Sequence, residues 1–151
     1  MTKAEQIIAF IECLKVPEGA LVGQPIKLME FQKQFIRDVY DNPHKTHNAI
    51  LSIGRKNGKS ALIASLLLAH LVGPMAVQNS QIVSGAKSRE QAALVFKLAH
   101  KMVMQNEKLS KIIRVIPSSK QLIGLPMNVE YKAIAADGAT AQGLSPVLII
   151  F

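Results

Sequence analysis

The amino-acid sequence predicts an α/β fold, a sheet with helices on both faces. Three observations carry that prediction. A short apolar run, Ile50-Leu51-Ser52-Ile53, meets a glycine-containing turn, and a long apolar helical pattern follows over 61–72. A second β-like run at 81–86 is again followed by a helical pattern, over 89–105. The last third is β-like in short pieces that end on Val147-Leu148-Ile149-Ile150-Phe151. Strand and helix patterns that alternate in this way belong to layered α/β architectures.

Taken in order, Thr2-Lys3-Ala4-Glu5 reads as a capping box that opens a helix carrying Ile7, Ile8, Ile11 and Leu14 at helical spacing. Pro17 and Gly19 stop it, and a connector runs to Pro25. A second helix is expected over about 28–40, with Leu28, Phe31, Phe35 and Val39 on its apolar face and Asn42-Pro43 at its end. The polar loop 44–48, with His44 and His47, precedes a strand at about 49–53 and its helix. After the strand at 81–86, Ser88-Arg89-Glu90-Gln91 caps a helix that buries Ala92, Val95, Phe96, Ala99 and Val103. One further turn is expected at 108–113, then strands at about 114–116, 121–124 and 128–135. Asp137 falls in a small polar loop, 136–143, as a turn former.

Composition sets bounds. The chain has 151 residues, about one domain, and 49% of them are hydrophobic, which excludes a disordered tail. Its single cysteine, Cys13, cannot form an internal disulfide, so a reducing, cytoplasmic setting is expected. The four histidines make no metal-ligand spacing with carboxylates or the cysteine. No secretory signal is visible, and Ser65, His70, Gly73 and Pro74 interrupt the longest apolar stretch, so no membrane span is expected. A formal net charge of +8 favours an acidic partner, although the lysines are scattered rather than clustered.

The chemistry concentrates at Gly54-Arg55-Lys56-Asn57-Gly58-Lys59-Ser60. A strand, a glycine loop, a Gly-Lys-Ser triplet and a helix form the order that a nucleoside triphosphate needs. Backbone N–H groups and the positive end of a helix face the phosphates, while Lys59 reaches the terminal ones. Ser60 is placed to offer its hydroxyl to Mg²⁺. The pattern departs from the common one, because Ile53 stands where the first glycine is usual and Gly54 comes one residue late. The plain alternative is an ordinary turn with Lys59 as a solvated charge.

Several separated blocks together resemble the N-terminal part of the ATPase domain of the tailed-bacteriophage terminase large subunit. They are Leu28-Met29-Glu30-Phe31-Gln32-Lys33, Arg55-Lys56-Asn57-Gly58-Lys59-Ser60, the junction 84–92, and Tyr131-Lys132-Ala133-Ile134-Ala135-Ala136-Asp137 with the run 143–150. The resemblance implies a P-loop NTPase sheet of the ASCE/RecA-like kind, incomplete at its C-terminus, with a helical lead-in at 1–45 and a core at 46–151. It implies ATP and Mg²⁺ as ligands. Lys59 would contact the β- and γ-phosphates, Ser60 would hold Mg²⁺, and Asn57 and Gly58 would supply backbone N–H groups. Arg55, beside Lys56 in the same loop, would sense the γ-phosphate, and Gln32 would read adenine through its amide. An exposed helix glutamine and a surface ion-pair cation are the plain alternatives for Gln32 and Arg55.

The same resemblance implies double-stranded viral DNA, a small terminase subunit and a portal protein as partners, a homo-oligomeric ring and action in the bacterial cytoplasm. The family runs on from this last strand into Asp-Glu, which phosphoryl transfer needs to hold the metal and orient water. Here Phe151 stands at that point, and no nuclease domain is expected within these residues. The expectation is an ATP-binding part of a packaging motor. Two alternatives remain: a truncated, inactive nucleotide-binding fragment, and a generic phosphate-loop ATPase of helicase type.

Overall fold

The computed structural model describes residues 2–43, 59–86, 88–135 and 148–150. The expected strand at 49–53, the loop residues 54–58 and Asp137 lie outside the described residues. The elements, in chain order, are α1 (Lys3–Glu12), α2 (Glu30–Tyr40), α3 (Lys59–Leu71), β1 (Gln81–Ala86), α4 (Arg89–Met104), α5 (Glu107–Ile112), β2 (Ile113–Ile116), a 3-10 turn (Pro117–Ser119), β3 (Gln121–Gly124), β4 (Val129–Ala135) and β5 (Leu148–Ile150).

The strands form one mixed sheet in the order β2-β3-β4-β1-β5. β3 runs antiparallel to β2 and to β4, while β1 pairs in parallel with β4 on one side and β5 on the other. Short turns suffice for the antiparallel members, whereas the parallel β1–β4 pair needs a crossover, supplied here by α4, α5 and the β2–β3 hairpin.

Register decides which side chains face the helices. Leu122 pairs with Tyr131, Tyr131 with Ile82, and Ala133 with Ser84, so these residues share one face. That face is buried beneath α3, α4 and α5, in a core that includes Leu67, Leu68, Leu71, Phe96, Met102 and Leu109. The opposite face carries Gln81, Val83, Gln121, Ile123, Glu130 and Lys132, of which Glu130 and Lys132 are exposed. Helices were expected on both faces; the described ones pack on one. The opposite face is wet at Glu130 and Lys132, where the strand alternates as Val129-Glu130-Tyr131-Lys132-Ala133, but Val83 and Ile134 on it are buried.

Helix α3 is the centre of the molecule. It buries Leu62, Ala64, Leu66, Leu67, Leu68, Ala69 and Leu71, which lie on more than one side of the helix. One side meets the sheet and α4; the other meets Ala4, Ile7, Ile8 and Ile11 of α1 and Ile36 of α2. The lead-in helices therefore share packing with α3. β3 crosses so close to the end of α3 that a Cβ on Gly124 would stand 2.4 Å from the carbonyl oxygen of Leu71. Only glycine fits there.

The lead-in is fastened by backbone-directed bonds. Thr2 and Glu5 form the expected capping box. Asp41, just after α2, accepts through Oδ1 from the Ala4 N–H at 3.1 Å, joining the end of α2 to the start of α1. The connector closes on itself through a bridge between Lys15 and Pro25, and Gln105 of the α4 end donates to the Val16 carbonyl at 3.0 Å.

One expectation for α2 is corrected. The helix starts at Glu30, so Leu28 is buried but lies outside it, and the fully covered positions are Gln32 and Ile36, one turn apart. Phe31 is 40% exposed, while Phe35 and Val39 are half-buried. Counting apolar residues had put the buried face one position off. The glutamine wins that place because its amide has a backbone partner there.

Candidate nucleotide site

Three strands point their C-terminal ends to one edge of the sheet: β1 at Ala86, β4 at Ala135 and β5 at Ile150. In open α/β sheets, ligand crevices lie outside such carboxyl ends. Just below this edge Ser84 is held on three elements. Its hydroxyl donates to the Ala92 carbonyl at 3.0 Å, and it lies 2.6 Å from the Tyr131 hydroxyl. A serine has one proton, so the Ala92 bond fixes Tyr131 as the donor of the second bond. Burial pushes the Tyr131 hydroxyl up to about 12, with the Ser84 bond pulling the other way. The phenol therefore stays neutral and remains a donor. This pair locks the first turns of α4 against β1 and β4.

Lys59 and Ser60 occupy the first turn of α3, and that turn has no acidic residue. A cation at the positive end of a helix is locally unfavourable, and an anion bound there would offset it. Arg55, Lys56, Asn57 and Gly58 lie outside the described residues.

The far end of α3 is anchored by a polar pair within an apolar setting. The Tyr40 hydroxyl lies 2.8 Å from His70 Nε2, and the rings stand 5.7 Å apart. Burial lowers His70 to about 4 and raises Tyr40 to about 12, so both are neutral near pH 7. The bond joins α2 to α3.

Gln32 is 5% exposed, at the third position of α2, and its Oε1 accepts from the Met29 N–H at 2.9 Å. It is thus a buried helix-capping side chain, and the exposed-glutamine alternative fails. The expected site residues that the structure describes, Gln32, Lys59 and Ser60, sit on α2 and α3, two helices packed in one core. Sequence reasoning did not single out Ser84, Tyr131 or the Tyr40–His70 pair. The available signal was polarity inside apolar runs: His70 interrupts 61–72, and Ser84 interrupts 81–86. Such groups need partners when buried. Among the described residues no helix is long and apolar enough to cross a membrane.

Comparison with known proteins agrees with this layout. The family model for the terminase large subunit, ATPase domain, matches residues 30–151. The chain is 66% identical over 152 aligned residues to the terminase large subunit of Enterobacteria phage HK97, covering 99% of this chain and 30% of that protein. It also superposes on the crystal structure of the HK97 bacteriophage large terminase with a TM-score of 0.89 at 63% identity, again covering 99% of this chain and 30% of that one.

Proposed function

Since the chain belongs to the terminase large-subunit family, within its ATPase domain, we propose that these residues form the ATP-binding part of a DNA-packaging motor. The observation that carries the reading is a Gly-Lys-Ser triplet whose lysine and serine open α3, the most buried helix described, with no acidic residue in that turn. The chain spans about 30% of the length of the relatives it matches, so the proposal concerns this segment first.

In this reading the loop 54–60, with the ASCE-type sheet behind it, cradles the triphosphate. Backbone N–H groups of Asn57 and Gly58 meet phosphate oxygens, Lys59 neutralises the β- and γ-phosphates, and Lys56 adds positive charge beside them. Arg55 lies against the γ-phosphate, where it distinguishes triphosphate from diphosphate. Ser60 would hold Mg²⁺ through a hard oxygen donor, the type that ion prefers, and the ion would supply charge neutralisation across the phosphates. Gln32 faces the base. The buried packing of α1 and α2 on α3 supports this, because it holds the base-reading helix and the phosphate-binding helix in one rigid unit.

Hydrolysis asks for carboxylates that hold the metal's water and orient the nucleophile. Among the described carboxylates, Asp41 caps α1, Glu107 pairs with Lys111 and Glu130 is exposed on the sheet, while Glu90 stands in the first turn of α4, just past the end of β1. The role proposed for this segment is binding. In the whole motor, that binding would drive movement of double-stranded viral DNA, in a homo-oligomeric ring working with a small subunit and a portal in the host cytoplasm.

The test is the affinity of the 151-residue chain for Mg·ATP, measured with a fluorescent ATP analogue. Replacing Lys59 by Ala should weaken binding by about tenfold or more, the worth of one charged contact to phosphate. Equal affinity in the two proteins would sink the reading.

A further inference from the structure

We propose that the groove between the connector and the end of α4 is a docking site for a tryptophan side chain carried on an acidic segment of a partner protein. The groove lies at the far end of α4 from the strand-end edge, roughly 20 Å away along the helix, so it stands apart from the nucleotide reading.

The connector builds one wall. Its ends form a short antiparallel clasp, in which Val16 N–H donates to the Gln24 carbonyl and Ile26 N–H to the Leu14 carbonyl, each at 2.9 Å. Gly19 and Gly23, at φ 97° and 86°, turn the chain between those ends. Pro17, His100, Lys101, Met104 and Gln105 line a groove of about 290 Å³. Pro17 is buried, the His100 ring rests 5.6 Å from that of Phe96, and Met104 is 68% exposed. A pyrrolidine, an imidazole and a thioether are surfaces on which a flat aromatic body packs.

Two further observations choose the occupant. Gln105 Nε2 donates to the Val16 carbonyl, which fixes the sense of the amide, while Oε1 is shielded from solvent and accepts no bond among the described residues. What the amide lacks is a donor. The indole N–H is a donor only, on a large apolar body, and so meets both needs. The chain has no tryptophan, and its two tyrosines are bonded within the core, so a second copy does not supply such a group. Charge completes the choice. Lys101 pairs with Glu18, but Lys97, one turn earlier on the same face, makes no ion pair among the described residues. From 97 to 111 four lysines stand against one glutamate. Carboxylates beside the tryptophan answer that charge.

Because the chain lacks tryptophan, emission from a peptide tryptophan reports binding directly. The probe is the blocked peptide Glu-Glu-Ala-Trp-Ala-Glu-Glu, titrated with the 151-residue chain. Saturable binding with blue-shifted emission is expected. Replacing the tryptophan by 1-methyltryptophan keeps the ring and removes the N–H, and should weaken binding at least about fivefold. Lysine in place of every glutamate should weaken it at least as much. Met104→Ser and Lys97→Glu change exposed side chains and should each weaken it about threefold or more. No saturable binding overturns the proposal. So do equal affinities for the methylated or the lysine peptide, and folded variants that bind like the wild type. A dimer of the chain alone that Met104→Ser dissociates gives the groove to a second copy and also overturns it. The peptide comparisons use only the wild type, so they decide even where a variant fails to fold.

Discussion

The Tyr40 hydroxyl and the His70 imidazole meet at 2.8 Å across the α2–α3 contact, and both groups are neutral where they stand. His70 falls from 6.5 to about 4 because burial disfavours its cation. The unfolded chain therefore binds the proton more readily than the folded one between those values. Stability contributed by neutral burial is present above pH 6.5 and is lost as pH falls towards 4. The full difference is about 3 kcal/mol. Urea midpoints at about pH 7, 5.5 and 4.5 should fall more steeply for the wild type than for His70→Gln; parallel curves would refute this assignment.

Ser84 and Tyr131 should behave as a coupled pair. Tyr131→Phe leaves Ser84 bonded to the Ala92 carbonyl, so the expected cost is about 1 kcal/mol. Ser84→Ala strands the buried phenol, at about 1–3 kcal/mol, while the Ala92 carbonyl keeps its helical partner within α4. The double variant should cost less than the sum, because removing both hydroxyls leaves no stranded phenol. Chemical denaturation of the four proteins measures the coupling, and strict additivity would show that the two hydroxyls act independently.

At Gly124 the expected effect is steric. An added methyl would stand 2.4 Å from the Leu71 carbonyl oxygen and 3.0 Å from Val72 Cγ1, and the nearer obstacle is backbone. Gly124→Ala should cost about 3 kcal/mol, the upper range for overpacking, and lower Tm by roughly 6–12 °C. A melting curve like that of the wild type would mean that β3 and α3 do not approach this closely.

The ion pair of Lys101 with Glu18 should matter little despite its 2.6 Å separation. Its side chains are 53% and 59% exposed, and solvent screens pairs of that kind. Glu18→Ala should shift stability by less than about 1 kcal/mol. By contrast, Gln105→Ala removes the bond that holds the connector through the Val16 carbonyl and should cost more. Comparing the two variants in one denaturation series distinguishes a decorative contact from a structural one.

Much of the local order was legible in the residues. Thr2 and Glu5 announced α1, and the run 81–86 became β1 at the same bounds. The α4 positions Ala92, Phe96, Ala99 and Val103 are buried as their spacing demanded, while Val95 is half-buried. Gln32 stood out through a block of neighbouring residues, yet its burial and its bond to Met29 did not. A capping bond depends on where a helix starts, and the start moved from 28 to Glu30.

The sequence by itself determined the order and type of most of the described elements and the start of α3 at Lys59, because these depend on neighbours a few residues apart. Tertiary structure alone decided that β4 lies between an antiparallel and a parallel partner, that the described helices share one face of the sheet, and that Tyr131 reaches Ser84. Those contacts join residues dozens of positions apart, Ser84 and Tyr131 by 47. Such pairs are chosen by the burial and hydrogen bonding of the whole core, which no local pattern contains.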